Sequence, residues 1–517
     1  MIDEDVKHVV VVGGGTSGWI TAGVLASKCV KEQGRDLKIT LIESPTIGNI
    51  GVGEGTWPSL RTTLQGMGIS ETEFVSKCDV SFKQGARFNR WVDNSEDDFY
   101  YHPLALPINM GPLNTINCWL GSHSETKEFS YSNMVCHQEA VCERGLAPKD
   151  ITVPEYQGLL NYAYHIDTNK FSAFVKEHCI NKLNINHVVN DVVGTTVGAD
   201  GGIGSLCLAD NTDLSGDFYI DCSGFSGLLI DKHFKVPFLD KSDILFCDRA
   251  VAVQRAYDDQ GSNDIASHTI STATGSGWIW DIGLQSRRGV GHVYSSRYSS
   301  DDEAKQGLGR YLGKDAAELD LRLFAFKPGH REKFWVKNCV AVGLSAGFVE
   351  PLEASSILLV EISAYWIAEK LPYRKSGFAR CEKQFNEVFR YRWETIIEFL
   401  KLHYCISRRT DTPFWRDNTH PDSIPDTLLE KLELWREQCP SVLDFLSRAD
   451  VFPLESYCYI LYGMKFKTAT NTIGDAHLAA LDNKIHSQRR GLTALLHSLP
   501  KNRSLIDKIH EYGMQKI

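Results

Sequence analysis

The chain has 517 residues, is 43% hydrophobic and 23% charged, and carries a formal net charge of −10. That is the composition of an ordinary globular protein, and the acidic balance argues against a general nucleic-acid surface. No apolar run reaches the roughly 18 residues of a membrane span, and no charged-then-apolar leader precedes the first strand, so a cytoplasmic protein without a membrane partner is expected.

The fourteen cysteines are scattered, with no C-x-x-C pair. Reduced thiols and no metal are therefore expected. Cys136, His137 and Cys142 form the closest cluster, which reads as unligated loop residues. Cys222 and Cys339 lie beside apolar runs and read as core.

Val9-Val10-Val11-Val12 reads as a short buried parallel strand. It runs into Gly13-Gly14-Gly15-Thr16-Ser17-Gly18 and then into an apolar helical pattern, Ile20, Val24 and Leu25. In G-x-G-x-x-G the first glycine, Gly13, permits the tight turn, and Gly15 lets the backbone approach a pyrophosphate. Gly18 brings the helix close to the sheet. The helix N-terminus, with Thr16 and Ser17, offers N–H groups to phosphate. Lys38–Glu43 reads as the next strand, which makes Glu43 the acid for a ribose hydroxyl. A dinucleotide site is expected, with FAD preferred over NAD because flavin-like segments follow downstream.

Thr46–Pro58 holds four glycines among other residues, a loop with little bulk that can lie flat against a planar ligand. Residues 60–92 read as a helix followed by a strand in which Val80 and Phe82 alternate with Ser81 and Lys83, placing Lys83 on the polar face. Residues 95–155 read as polar, aromatic and irregular, a substrate-covering insert. Tyr162–Asp167 leads into a helix from Asn169 to Cys179, and strands follow on either side of Gly201-Gly202. Asp217–Phe225 reads as a strand ending in a small-residue turn. Residues 245–300 alternate in the β manner, and 337–365 as strand, loop and helix from Ser355. Beyond Trp366 the pattern is helical, broken near Pro413, Pro421 and Pro425.

Three segments carry a family resemblance. They are Gly13–Gly18, Trp278-Ile279-Trp280-Asp281-Ile282, which looks like a W-x-W-x-I-P signature, and Phe348–Ser356, which is similar to a P-L-E-S-T-G stretch. With these the chain resembles the flavin-dependent halogenases of the tryptophan-halogenase type, over nearly all residues up to about 415. The resemblance implies an α/β fold. Its flavin-monooxygenase-like, Rossmann-type FAD-binding body would span residues 1–365, with a substrate region inserted at 80–160 and a β-sheet platform at 245–300. A helical C-terminal subdomain would span 366–517.

The resemblance also implies chemistry. A separate NAD(P)H-dependent flavin reductase supplies FADH2, oxygen converts it to a flavin hydroperoxide, and halide attack yields hypohalous acid. That acid passes through a tunnel to a lysine beside an electron-rich aromatic substrate. By position in its motif the lysine is Lys83, whose ammonium can polarise hypohalous acid by a hydrogen bond. Taken alone, Lys83 reads as a solvated strand lysine. Glu353 matches the active-site glutamate, which would stabilise the cationic ring and accept its proton. Taken alone, it reads as a first-turn residue complementing a helix dipole. Ser355 and Ser356 fall at the halide site, and Glu54, Gly55, Leu344 and Ile357 along the flavin. Trp278 and Trp280, on one side of a strand, would crowd the face near the flavin, as core packing also would.

Two departures bear on specificity. Gly283 stands where the signature has proline, so a looser loop is expected. Ser356 stands at the halide-site glycine, where its side chain alters the pocket. The easier oxidation of larger halides inclines the reading to bromide or iodide. His102 is present near the substrate, but Leu104 replaces an expected aromatic, and Tyr457, Tyr459 and Tyr462 make a weak match to an amino-acid clamp. An indole- or phenol-like arene is therefore expected in preference to free tryptophan. An aromatic hydroxylase and a non-catalytic flavin-binding module remain as alternatives. Homo-oligomers are frequent in such enzymes, but no interface is legible.

Overall fold

The computed structural model describes residues 4–48, 51, 53–107, 112–123, 130–257, 264–445, 450–469 and 475–516. Asn49, Ile50 and Val52 of the glycine-rich loop, and residues 108–111 and 124–129 of the insert, lie outside them. The chain forms two compact units, each built from three chain segments: residues 1–79, 166–241 and 327–393 in the first, and 80–165, 242–326 and 394–517 in the second. Among the described residues no helix is long and apolar enough to cross a membrane.

The first unit is organised on a six-stranded sheet in the order Trp335–Val336, Cys339–Ala341, Phe218–Asp221, His8–Val12, Lys38–Glu43, Asn186–Val189. All neighbours are parallel except the first pair. Because both faces are covered, the central strands are apolar throughout rather than alternating. Val10, Val12, Ile42 and Tyr219 pack on one face against Ile203, Leu206 and Leu208 of a three-stranded antiparallel sheet. The other face carries the helix Thr16–Leu25, which packs against Ser355–Lys370 and Thr168–Leu183. The result is a three-layer arrangement that sets the C-terminal strand ends, Gly13 and Asp221 among them, at one edge.

The second unit has a seven-stranded sheet in the order Arg322–Ala325, Arg249–Ala256, Arg287–Tyr294, Gly277–Gly283, Thr269–Ala273, Gly85–Asn89, Phe99–Pro103. Trp278 and Trp280 sit two apart on a strand that is buried from end to end, with ring centroids 6.3 Å apart. A Cβ at the facing Gly291 would lie 2.1 Å from the Trp280 ring, so this glycine makes room for the indole. The helices Asp426–Glu437, Leu454–Gly463, Asp475–Ser498 and Asn502–Tyr512 belong to this unit, and the helix Phe378–Cys405 contributes residues to both.

Four local readings are corrected. Residues 60–92 begin with two short helices, Ser59–Gly66 and Glu71–Lys77, separated at Gly68, whose φ is +78°. The insert is not irregular: Phe99–Pro103 forms the edge strand of the seven-stranded sheet, and Tyr131–Val135 and Gln138–Glu143 are helical. Lys83 is not on a solvated face, because its strand Ser81–Lys83 is buried on both faces. Gly283 is not in a loosened loop. It ends the Trp278 strand, pairs with Arg288, and its carbonyl accepts a hydrogen bond from the Ser81 hydroxyl. All fourteen cysteines are free thiols, and Cys339 is a buried core residue of the parallel sheet.

Candidate active site

In the first unit four segments converge at the end of the strand His8–Val12. The Gly13 N–H donates to the Ile42 carbonyl at 2.8 Å, and its φ of +122° is a conformation that L side chains avoid. A Cβ at Gly13 would lie 2.2 Å from the Cys222 carbonyl oxygen, and one at Gly18 would lie 1.9 Å from that of Gly13. Gly14, an unassigned position of the motif, is equally constrained, since a Cβ there would lie 1.8 Å from Glu43 Oε2. Gly15 precedes the helix with no capping side chain, which leaves Thr16 and Ser17 to open the first turn. Ser17 in turn abuts the turn holding Leu344: a Cβ at Gly343 would lie 2.3 Å from its hydroxyl.

Several residues here carry no motif. Glu43 Oε1 accepts from Lys176 and, at 2.9 Å, pairs with His187 Nε2. Buried Asp221 ties its own turn together: Oδ1 accepts from the Ser223 N–H and hydroxyl, and Oδ2 from the N–H groups of Leu229 and Ile230 at 2.8 Å. The Ser345 hydroxyl donates to the Asp221 carbonyl, which joins the Leu344 turn to the central strand. The signal available in sequence was Asp-x-Ser, a pattern in which an aspartate binds backbone and hydroxyl two residues on.

Glu353 and the halide candidates occupy a bend in the same unit. Pro351–Glu353 is a single 3₁₀ turn, Ala354 has a left-handed φ of +53°, and the helix Ser355–Lys370 follows. Ala354 cannot cap, and among the described residues no side-chain cap hydrogen bond is made at the helix start. Glu353, Ser355 and Ile357 are buried, while Ser356 and Leu344 are half-buried. The Trp57 indole N–H donates to the Glu353 carbonyl at 2.8 Å, bringing the glycine-rich loop to this bend. Glu54 and Gly55 form a short half-buried strand just before Trp57, and burial pushes the Glu54 carboxyl up to about 7.

Lys83, His102 and Leu104 lie in the second unit. Lys83 is 4% exposed. Its strand pairs antiparallel with Ala163–Ile166, setting Ser81 opposite His165 and Lys83 opposite Ala163, all on one face. Phe82 and Tyr164 face the other way, 6.0 Å apart. His165 Nε2 lies 2.8 Å from the Thr269 hydroxyl and Nδ1 3.4 Å from that of Ser81. Burial, with the positive charge of Lys83 next, holds this imidazole well below its ordinary range. The Ser81 proton is committed to Gly283, so the neutral ring donates from Nδ1 and accepts at Nε2.

His102 and Leu104 are buried, at 3% and 8% exposure. His102 Nε2 lies 2.9 Å from the Ser456 hydroxyl, and its ring packs beside Phe399 and Tyr459. Tyr459 donates to the Ala105 carbonyl at 3.0 Å. Tyr457, Tyr459 and Tyr462 are all buried core residues of the helix Leu454–Gly463.

The comparisons with known proteins agree on one group. The tryptophan halogenase family model matches residues 8–478. The chain belongs to the tryptophan halogenase family. It is 32% identical over 453 residues to tryptophan 6-halogenase ThaL of Streptomyces albogriseolus, covering 85% of this chain and 83% of that one. It superimposes on the tryptophan halogenase of Shewanella frigidimarina with a TM-score of 0.96 at 42% identity, over 100% of both chains. It matches Tar14, a tryptophan C-6 flavin-dependent halogenase (chlorinase) from taromycin biosynthesis, with a TM-score of 0.87 at 29% identity, over 97% of this chain and 99% of that one.

The protein is thus a flavin-dependent halogenase, an oxidoreductase of mixed α/β fold. The first unit is compatible with FAD: Gly13 and Gly18 close a tight strand-to-helix turn in which an added Cβ would strike backbone, and the helix start beside it has no capping side chain.

Proposed function

We propose that this halogenase acts on an electron-rich arene of the indole class through Lys83 and Glu353. The observation that carries the reading is the burial of Lys83 on a short strand whose neighbouring imidazole is held neutral. An ammonium withdrawn from water makes a stronger hydrogen bond to hypohalous acid than a solvated one. With that bond on oxygen, the halogen becomes electrophilic and hydroxide becomes a better leaving group. FADH2, when bound, would give two electrons and halide two more to oxygen, so that FADH2, oxygen, halide and a proton would yield FAD, water and hypohalous acid. The arene carbon then takes the halogen, the hypohalous oxygen takes a proton from the Lys83 ammonium and leaves as water, Glu353 accepts the ring proton, and a proton from solvent restores the lysine.

Gly13, Gly15, Thr16, Ser17 and Gly18 hold the pyrophosphate, and Glu43 Oε2, on the Gly14 side, meets the ribose. Glu54, Gly55, Leu344 and Ile357 line the flavin. Halide sits at the N-terminal turn of the helix that Ser355 and Ser356 begin, where first-turn N–H groups without a capping side chain and the helix dipole attract an anion. The Ser356 side chain and the easier oxidation of larger halides favour bromide or iodide over chloride. FADH2 comes from a separate NAD(P)H-dependent reductase. His102 borders the arene. Leu104 leaves it without an aromatic clamp, which favours indole over free tryptophan.

The test is incubation with FAD, a flavin reductase, NADH, oxygen and either indole or free tryptophan, with each halide in turn. Products are read by mass. Halogenated indole that disappears in Lys83→Ala is expected. Hydroxylated product without halide dependence would replace the reading with an aromatic hydroxylase. Selective turnover of free tryptophan with indole untouched would overturn the substrate assignment.

A further inference from the structure

The strand that carries Lys83 is three residues long and stands at the edge of its sheet, with the Ala163–Ile166 strand as its partner on one side. An edge strand leaves alternate carbonyls pointing away from its partner, and a buried carbonyl requires a donor. For Phe82, whose carbonyl belongs to the peptide group shared with Lys83, the donor is Asn502. Its side-chain N–H bonds the Phe82 carbonyl at 3.0 Å and approaches the Ala266 carbonyl at 3.4 Å.

Asn502 is itself held firmly. It is wholly buried and opens the helix Asn502–Tyr512. Its backbone N–H donates to the Gly145 carbonyl at 2.9 Å, the Ala147 N–H donates to Pro500 at 2.8 Å, and Lys501 bridges Leu146. The next residue, Arg503, donates to the Gln285 carbonyl at 3.1 Å and packs over the Tyr257 ring at 4.9 Å. Tyr257 donates to the Leu284 carbonyl at 2.9 Å. The turn after Gly283, which lacks the proline of the signature, is thus fastened by Arg503, Tyr257 and Ser81. This segment lies beyond residues 8–478, the span matched by the family model.

We infer that Asn502 is a positioning residue for Lys83, fixing the Phe82–Lys83 peptide so that the ammonium stays in register with its reactants. The inference rests on the assignment of Lys83 above. A displacement of about 1 Å costs on the order of 100-fold in rate when geometry carries the chemistry, so the expected effect is on turnover, not on the making of hypohalous acid.

The experiment compares the full-length wild type with Asn502→Ala, Asn502→Asp and Lys83→Ala, each with FAD, reductase, NADH, oxygen and bromide. Asn502→Asp keeps the shape and removes the donor. Three quantities are read: kcat and KM for indole bromination, hypobromous acid trapped by excess cyclic 1,3-diketone in the absence of indole, and the thermal midpoint. Both Asn502 variants are expected to lose roughly 10- to 100-fold in kcat with KM within about 2-fold and trapped hypobromous acid preserved. Unchanged kcat in either folded variant overturns the inference, as does a fall of bromination and trapped acid in equal proportion. If Lys83→Ala retains indole bromination, the assignment of Lys83 fails. If Lys83→Ala is inactive and the Asn502 variants are normal, only the role of Asn502 fails.

Discussion

Glu361→Gln is expected to change how stability depends on pH. Glu361 lies one helical turn beyond Ile357 and is 1% exposed. Ser59 donates to its Oε2 at 2.9 Å and Thr63 to its Oε1, both neutral hydroxyls from the helix Ser59–Gly66. Burial pushes the carboxyl up from the ordinary 4.5 to about 7, with the two hydroxyls pulling the other way. Between these values the native state keeps a proton that the unfolded chain has released, so stability falls as pH rises. Above pH 7 the native state holds the buried anion, at a cost of about 3 kcal/mol. Glutamine keeps the shape and cannot ionise. The variant is therefore expected to match wild type or fall slightly below it at pH 5, and to exceed it at pH 8. The gain is up to about 3 kcal/mol, read as a rise in thermal midpoint on the order of 3 °C. Melting curves of both proteins at half-unit steps from pH 5 to 8 give the difference directly. A difference that does not vary with pH, or that favours wild type at pH 8, would refute the reasoning.

Gly13→Ala forces a Cβ to 2.2 Å from the Cys222 carbonyl oxygen at a φ of +122°. The strained backbone costs about 1–3 kcal/mol and the overpacking about as much again, so FAD affinity measured by flavin fluorescence should fall by at least about 30-fold. Ser356→Gly removes the side chain at the proposed halide turn. It should raise the ratio of chlorinated to brominated indole in mixed-halide competition by up to about 10-fold, equivalent to about 1.4 kcal/mol.

The strand, glycine turn and helix that open the first unit were legible because they are built locally. Four consecutive valines, a glycine motif and an acid at the next strand end lie within residues 9–43, and the strands His8–Val12 and Lys38–Glu43 form where the pattern places them. The surroundings of Lys83 were not legible. Alternation separates Phe82 from Lys83, but it cannot say whether the second face meets water or protein, and here both faces are buried. The contacts that decide this come from far along the chain: Thr269 reaches His165, Gly283 accepts from Ser81, and Asn502 donates to Phe82. The Trp57–Glu353 bond spans 296 positions, beyond any local pattern. Gly283 misled for a related reason. A glycine in isolation predicts freedom, yet three side chains hold its turn.

These placements share a physical logic. A three-residue edge strand has too few ladder bonds to fix its own position. Side-chain donors replace the missing strand: Ser81 toward Gly283, and Asn502 toward Phe82. A neutral His165 joins this frame from the facing strand without adding a second positive charge beside the lysine. Each donor acts on a different backbone group, so losing one should tilt the strand without unfolding the unit. Loss of stability and loss of turnover should therefore separate in variants of this frame, as they would not for a residue such as Val11 in the parallel sheet.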